Sequence, residues 1–170
     1  MAHLLRIIEF TMPVRHKYPL PPLLEGIATV SQYDKWLNNK ADTVRKDDLT
    51  MKRPFALTCS KAVYKQKIHG AIMNSDGKDP FTGDLLRWDL VKEWKSKGKG
   101  RIAGNKISKY GAFDKKFFLK PVIDHCNPYS DTLELEICSW IVNESKTIMT
   151  PEEYVALCGK VAGNRMRTGK

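Results

Sequence analysis

Apolar and polar positions along this chain follow two periods, and the changes from one to the other mark out its elements. In "SQYDKWLNNKADTVRKDDL" the residues Tyr33, Trp36, Leu37 and Val44 share one side of a 3.6-residue period, and Ser31 stands where an N-cap belongs. This predicts a helix over about residues 32–47. "CSKAVYKQKIHGAIMNSDG" predicts a second helix with Ala62, Val63, Ile68 and Ile72 as its buried stripe and Lys61, Lys65 and Lys67 outside, ended by the Asn-Ser-Asp-Gly cluster. Farther on the period drops to two. "LELEIC" alternates apolar and acidic residues as a half-buried strand does, and it follows the apolar run "PVIDHC" across the turn residues "NPYSD". Residues 121–138 therefore read as a β-hairpin. Period 3.6 then returns in "SWIVNESKTIM", a short helix started by Ser139 that sets Trp140, Asn143 and Lys146 along one side.

The last element is the most explicit. "MTPEEYVALCGKVAG" places Thr150 as N-cap, Pro151 at the first helical position and Glu153 three residues after the cap, a capping box. Its predicted buried stripe is Tyr154, Val155, Leu157, Cys158 and Val161. Elsewhere the pattern is irregular: four prolines between residues 13 and 24 favour an extended arm, and "DPFTGDLLRWDLV" opens on a turn in which Gly83 can take a positive φ before a strand-like run.

With 170 residues one core is the default, so the chain reads as a single domain. Lys and Arg number 29 against 19 Asp and Glu, a net charge of +10. Position sharpens this: ten basic residues fall between Lys92 and Lys120, against Glu93 and Asp114. The same stretch carries glycines at 98, 100, 104 and 111 and the rings of Trp94, Tyr110 and Phe113, a composition suited to phosphate and base contact as well as to a solvated loop. A nucleic acid is the expected partner, with Lys95, Lys97, Lys99, Arg101, Lys106, Lys109, Lys115 and Lys116 as its contacts. The four cysteines, Cys59, Cys126, Cys138 and Cys158, form no CxxC pair and follow no secretory leader, so a reduced, cytoplasmic chain is expected. No apolar run approaches the length of a membrane span.

Strand, strand, helix, with Asp124-His125 closing the first strand and Asn143-Glu144-Ser145-Lys146 on the helix, resembles the HNH endonucleases in their Asp-His then Asn form. The resemblance implies an α+β fold with a ββα-metal core over residues 79–147. The basic stretch 92–120 would be an insertion in it, with the Pro-rich arm and helices (1–78) before and a helix and basic tail (148–170) after. It implies a metal-dependent endonuclease acting on nucleic acid, DNA first. Asp124 and Asn143 would hold one Mg²⁺ or Mn²⁺, with Asn143 and Lys146 completing the catalytic set around His125. Lys146 would meet a phosphate, or pair with Glu144. The chemistry is consistent with these roles: a neutral imidazole with a pKa of about 6.5 can take a proton from water, and hard cations prefer oxygen ligands. Lacking CxxC pairs, the chain is expected to hold no structural zinc. The family's central Asn has no secure counterpart in Asn127 or Asp131.

Adjacent strand residues face opposite sides, so this site requires the strand to bend at Asp124-His125, with Pro128 as the expected cause. A binding protein without catalysis on a degenerate ββα scaffold is the alternative. A thiol enzyme pairing Cys126 or Cys138 with His125 is a third, weaker reading. His69 reads as a polar-face or interface histidine.

Overall fold

The structure is a computed structural model that describes residues 17–94 and 117–168. Helix α1 spans Val30–Thr50, two to three residues beyond each expected end, and its cap is Thr29 rather than Ser31. Thr29 and Gln32 form a reciprocal capping box, satisfying two amides that the first turn cannot pair internally. The buried positions Tyr33, Leu37, Ala41, Val44 and Asp48 recur every three or four residues, so a carboxylate occupies the last place of an otherwise apolar stripe.

Helix α2, Lys61–Asn74, is capped by Ser60 and buries Tyr64, Ile68 and Ile72. Tyr64 replaces the expected Ala62 and Val63 at the head of the stripe, because it lies one α-helical turn before Ile68 and reaches deeper. Part of the basic face is engaged within the chain: Lys61 pairs with Asp42 at 2.6 Å, and Lys65 with Asp34 at 3.4 Å. The Pro-rich arm, where described, forms a 3₁₀ turn at Pro22–Leu24 that buries Leu24 on the core.

The expected loop-strand unit after α2 is a single Lys78–Leu85 bridge around a turn, with Gly83 at φ 74°. Asp79 organises this turn by accepting from the amides of Phe81 and Thr82 and, at 2.6 Å, from Ser139. Gly77 needs its missing side chain, because at φ 86° a Cβ there would meet the Leu23 side chain at 3.3 Å. A 3₁₀ segment, Trp88–Trp94, closes this part.

Strands β1, Pro121–His125, and β2, Leu135–Ser139, form a two-stranded antiparallel sheet with Asp124 opposite Glu136 and His125 opposite Leu135. Helix α3, Trp140–Lys146, follows at once with Ser139 as its cap, as the sequence predicts. Its buried side is Val142 and Lys146, so Trp140 and Asn143 lie to the flank. One face of the hairpin carries Ile123 and Ile137 into the core made by α1, α2 and Phe55, and α3 packs on the strands.

Helix α4, Pro151–Thr168, begins with the expected box between Thr150 and Glu153. Its expected buried stripe is not buried. Val155, Leu157 and Val161 are exposed, and the helix meets the rest of the chain through its first turn, where Tyr154 lies edge-on to Phe81 and bonds Ser145 at 2.8 Å. The sequence pattern identifies an apolar face but carries no information on whether this chain supplies the surface to cover it. Among the described residues no helix is long and apolar enough to cross a membrane.

Candidate functional site

Strand β1 is started by Pro121, which has no amide to lose at a strand's first position, and its β-branched Val122 and Ile123 favour the extended chain. Pairing runs through His125 and on to a bond from the Cys126 amide to Glu134, so the strand does not bend at Asp124-His125. Pro128 acts after the strand instead. Its carbonyl accepts from Arg53, while the Asn127 side chain caps the Tyr129 amide at 2.9 Å and so shapes the turn. Asp124 and His125 therefore point to opposite faces, and the convergence expected of them is not made.

His125 points toward α1 and the Phe55 turn. Its Nε2 lies 3.1 Å from Asp48 Oδ2, and its ring stacks on Phe55 with centroids 5.9 Å apart. The same Asp48 oxygen accepts from the Tyr64 hydroxyl at 2.9 Å, and Asp48 Oδ1 lies 3.1 Å from Arg53 Nε. Three residues, from the turn after α1, from α2 and from β1, thus meet on one buried carboxylate of α1. Burial first, then the hydrogen bond and charge of Asp48, push the Tyr64 phenol well above its usual value. An Asp48 that holds the proton-bearing Nε2 leaves Nδ1 as the ring's acceptor, the arrangement of an oriented base.

Asp124 points toward α3. Its Oδ1 accepts from the His125 amide at 2.8 Å, and its Oδ2 lies 3.0 Å from Lys146 Nζ. Lys146 is 1% exposed and also donates to the carbonyls of Met149 and His125, so its ammonium is enclosed rather than presented to a phosphate or to Glu144. Across the sheet, Glu136 has a buried Oε1 that makes no hydrogen bond among the described residues. Burial first, and Asp124 second, raise its carboxyl above the usual range. Beside it, burial and then Glu136 push the Cys126 thiol up to about 11, which keeps it protonated and speaks against the thiol-enzyme reading; Cys138 is raised further still.

Whether this face suits a divalent cation turns on its charges. Asp124 and Glu136 are two carboxylates served by one ammonium, and the Asn143 carboxamide, half-buried on α3, makes no hydrogen bond among the described residues. Hard cations such as Mg²⁺ or Mn²⁺ take oxygen donors, but Lys146 already stands at Asp124 and Asn143 lies on the flank of α3, off its buried side. Among the described residues no three His, Cys, Asp or Glu side chains converge on a point where they could hold a metal ion.

A groove of about 1070 Å³ runs beside this hairpin between α2, the Asp79 turn and β2, with Lys67, Lys78, Glu134 and Glu136 in its lining. The eight basic residues expected to contact nucleic acid, Lys95 to Lys116, lie outside the described residues. Where the chain rejoins β1, burial and then the charge of Lys120 lower the Lys40 ammonium, so two cationic side chains share that surface. His69, read as a polar-face residue, bonds Tyr33 at 2.8 Å and is lowered by burial.

Sequence reasoning missed Asp48 and Arg53. Asp48 carries a legible signal, a carboxylate at an apolar position of the α1 stripe, whereas Arg53 follows the helix with no periodicity to mark it. No family model, curated protein or solved structure matches this chain.

Proposed function

We propose that this protein is a metal-dependent endonuclease of the HNH kind, hydrolysing phosphodiester bonds of nucleic acid, DNA first, with His125 as general base. The observation that carries the reading is the contact of 3.1 Å between His125 Nε2 and buried Asp48, at the close of the first strand of a β1–β2–α3 unit. In neutral His125, Asp48 holds the Nε2 proton and the Phe55 ring fixes the plane, so the Nδ1 lone pair takes a proton from an attacking water. The imidazolium that results is stabilised by the Asp48 carboxylate, itself steadied by Tyr64 and Arg53. A divalent cation would supply Lewis-acid stabilisation to the phosphate, but Asp124 faces α3, so Asp124 and Asn143 would hold it on the other side of β1 from His125. Lys146 acts as a positioning residue for the Asp124 carboxylate, not as a phosphate contact. The net charge of +10 supports the polyanionic substrate.

The alternative, binding of nucleic acid without cleavage, is favoured by one observation: Lys146 already supplies a cation to Asp124. Incubation of the full chain with supercoiled plasmid in Mg²⁺ or Mn²⁺ separates the two readings. Nicking by the parent that His125→Ala abolishes and Asp48→Asn reduces, with DNA retardation in gels unchanged, is the result expected. Retardation with no nicking by the parent in either metal rejects catalysis and leaves the binding reading.

A further inference from the structure

Among the described residues β2 pairs with β1 alone, and its other edge opens on the groove beside α2. The Cys126 amide donates to the Glu134 carbonyl and the Trp140 amide to the Lys120 carbonyl. In this register Glu136 and Cys138 turn their backbone groups to β1, while Leu135, Ile137 and Ser139 turn theirs outward. At Ser139 the outward amide is taken by Asp79 at 2.6 Å. The outward amides and carbonyls of Leu135 and Ile137 make no hydrogen bond among the described residues. Ile137 is 6% exposed, so water reaches little of it to serve in place of a partner. The facing wall of the groove is low: Gly70 of α2 lines it, and a Cβ built there meets nothing within 4 Å.

We propose that this edge takes an extended segment of a partner protein as a third strand, one in which basic and apolar residues alternate. Free ladder groups two residues apart call for another backbone, which supplies amides and carbonyls at the same spacing. Charge selects the occupant. In the groove lining Asp76, Asp79, Glu134 and Glu136 outnumber Lys67 and Lys78, an acidic strip on a chain whose net charge is +10. Glu134 and Glu136 project from one face of β2, and Leu135 and Ile137 project from the other onto the core. Cations of the added strand therefore fall beside the two acids, and the residues between them fall on the apolar side, toward α2. A second copy of β2 in antiparallel pairing would set Glu136 against an acid of that copy, and a nucleic acid brings negative charge and no ladder. This inference is independent of the nuclease reading.

Fluorescence anisotropy of a fluorescein-labelled peptide, Lys-Val-Lys-Val-Lys-Val, titrated with the full chain tests it, with far-UV circular dichroism to confirm folding of each variant. Saturable binding is expected, and the peptide Lys-Lys-Lys-Val-Val-Val, equal in charge but without alternation, binds several-fold more weakly. N-methylation of the valines or of the lysines abolishes binding for one set and spares it for the other, because alternate amides of a strand face one edge. Gly70→Gln, which fills the groove from α2 and suits a helix better than glycine, weakens binding several-fold, as does Glu134→Lys at an exposed position. Absence of saturable binding overturns the proposal, as do equal binding of the two sequences, methylated sets that behave alike, or a Gly70→Gln variant that binds as the parent does. A parent that dimerises in sedimentation velocity and loses the dimer with Gly70→Gln overturns it in favour of a second copy at this edge.

Discussion

Replacing Lys146 by methionine tests whether the ion pair under α3 holds the hairpin and helix together. The ammonium is 3.0 Å from Asp124 Oδ2, with side-chain exposures of 1% and 6%, so solvent screens neither partner. Methionine fills similar volume without charge and leaves the Asp124 carboxylate buried with one donor, the His125 amide. Stranding a buried charge costs about 3–5 kcal/mol, and the carbonyls of Met149 and His125 lose a donor in the same substitution. Against a total stability of about 5–15 kcal/mol for a domain, Lys146→Met should shift the urea midpoint markedly or unfold the chain. Asp124→Asn combined with Lys146→Met should recover much of the loss, because the Asp124 charge is then gone and what faces Glu136 is a neutral amide. The assay is urea unfolding followed by tryptophan fluorescence, completed as a double-mutant cycle. A Lys146→Met loss below about 1 kcal/mol, the range of an exposed pair, or a double variant no more stable than the single one, would refute the enclosed pair as the source of this stability.

Two further outcomes follow from the titratable groups of the same hairpin. Glu136, raised by burial and by Asp124, binds its proton more tightly in the folded chain than in the unfolded one; the stability it contributes is full below the unfolded carboxylate pKa and is lost as pH rises through the raised one. Glu136→Gln should therefore flatten the fall in urea midpoint across the pH range between those two pKa values, and an unchanged pH profile refutes the assignment. Among the cysteines, exposed Cys158 should react first with Ellman's reagent near pH 8, with Cys126 slow because its thiol is held up to about 11 and buried Cys138 slower still, an order that peptide mapping of the labelled chain checks or overturns.

The parts of the fold that were legible are those in which a residue's partners lie within a few positions of it. The Thr150–Glu153 box, the Ser139 cap, the turn at Gly83 and the strand–strand–helix order are each dictated by local hydrogen bonding or by a period of the chain. The first helix shows where this stops. Ser31 and Thr29 both qualify as caps by residue type, and Thr29 takes the place because Gln32 stands three residues after it and can return the bond. At the candidate site, the adjacency of Asp124 and His125 and the position of Asn143 were evident, but not the partners that define their chemistry. Asp48 precedes His125 by 77 residues, and Lys146 follows Asp124 by 22, so only packing of α1 and α3 against the hairpin brings them together.

The sequence by itself determined the four α-helices and the hairpin, the Ser139 and Thr150 caps, the positive charge and the strand order that places Asp124-His125 before Asn143, because these rest on interactions between near neighbours and on composition. Tertiary structure decided which way each site residue faces. An unbent strand sends Asp124 to Lys146 and His125 to Asp48, and no local rule specifies whether a strand end bends or runs straight. It also decided that α4 stands clear of the core. Periodicity tells a helix which side is apolar, but burial of that side depends on surfaces brought from elsewhere, and within the described chain Tyr154 in the first turn ties α4 to Phe81 and Ser145 while Val155, Leu157 and Val161 stay exposed.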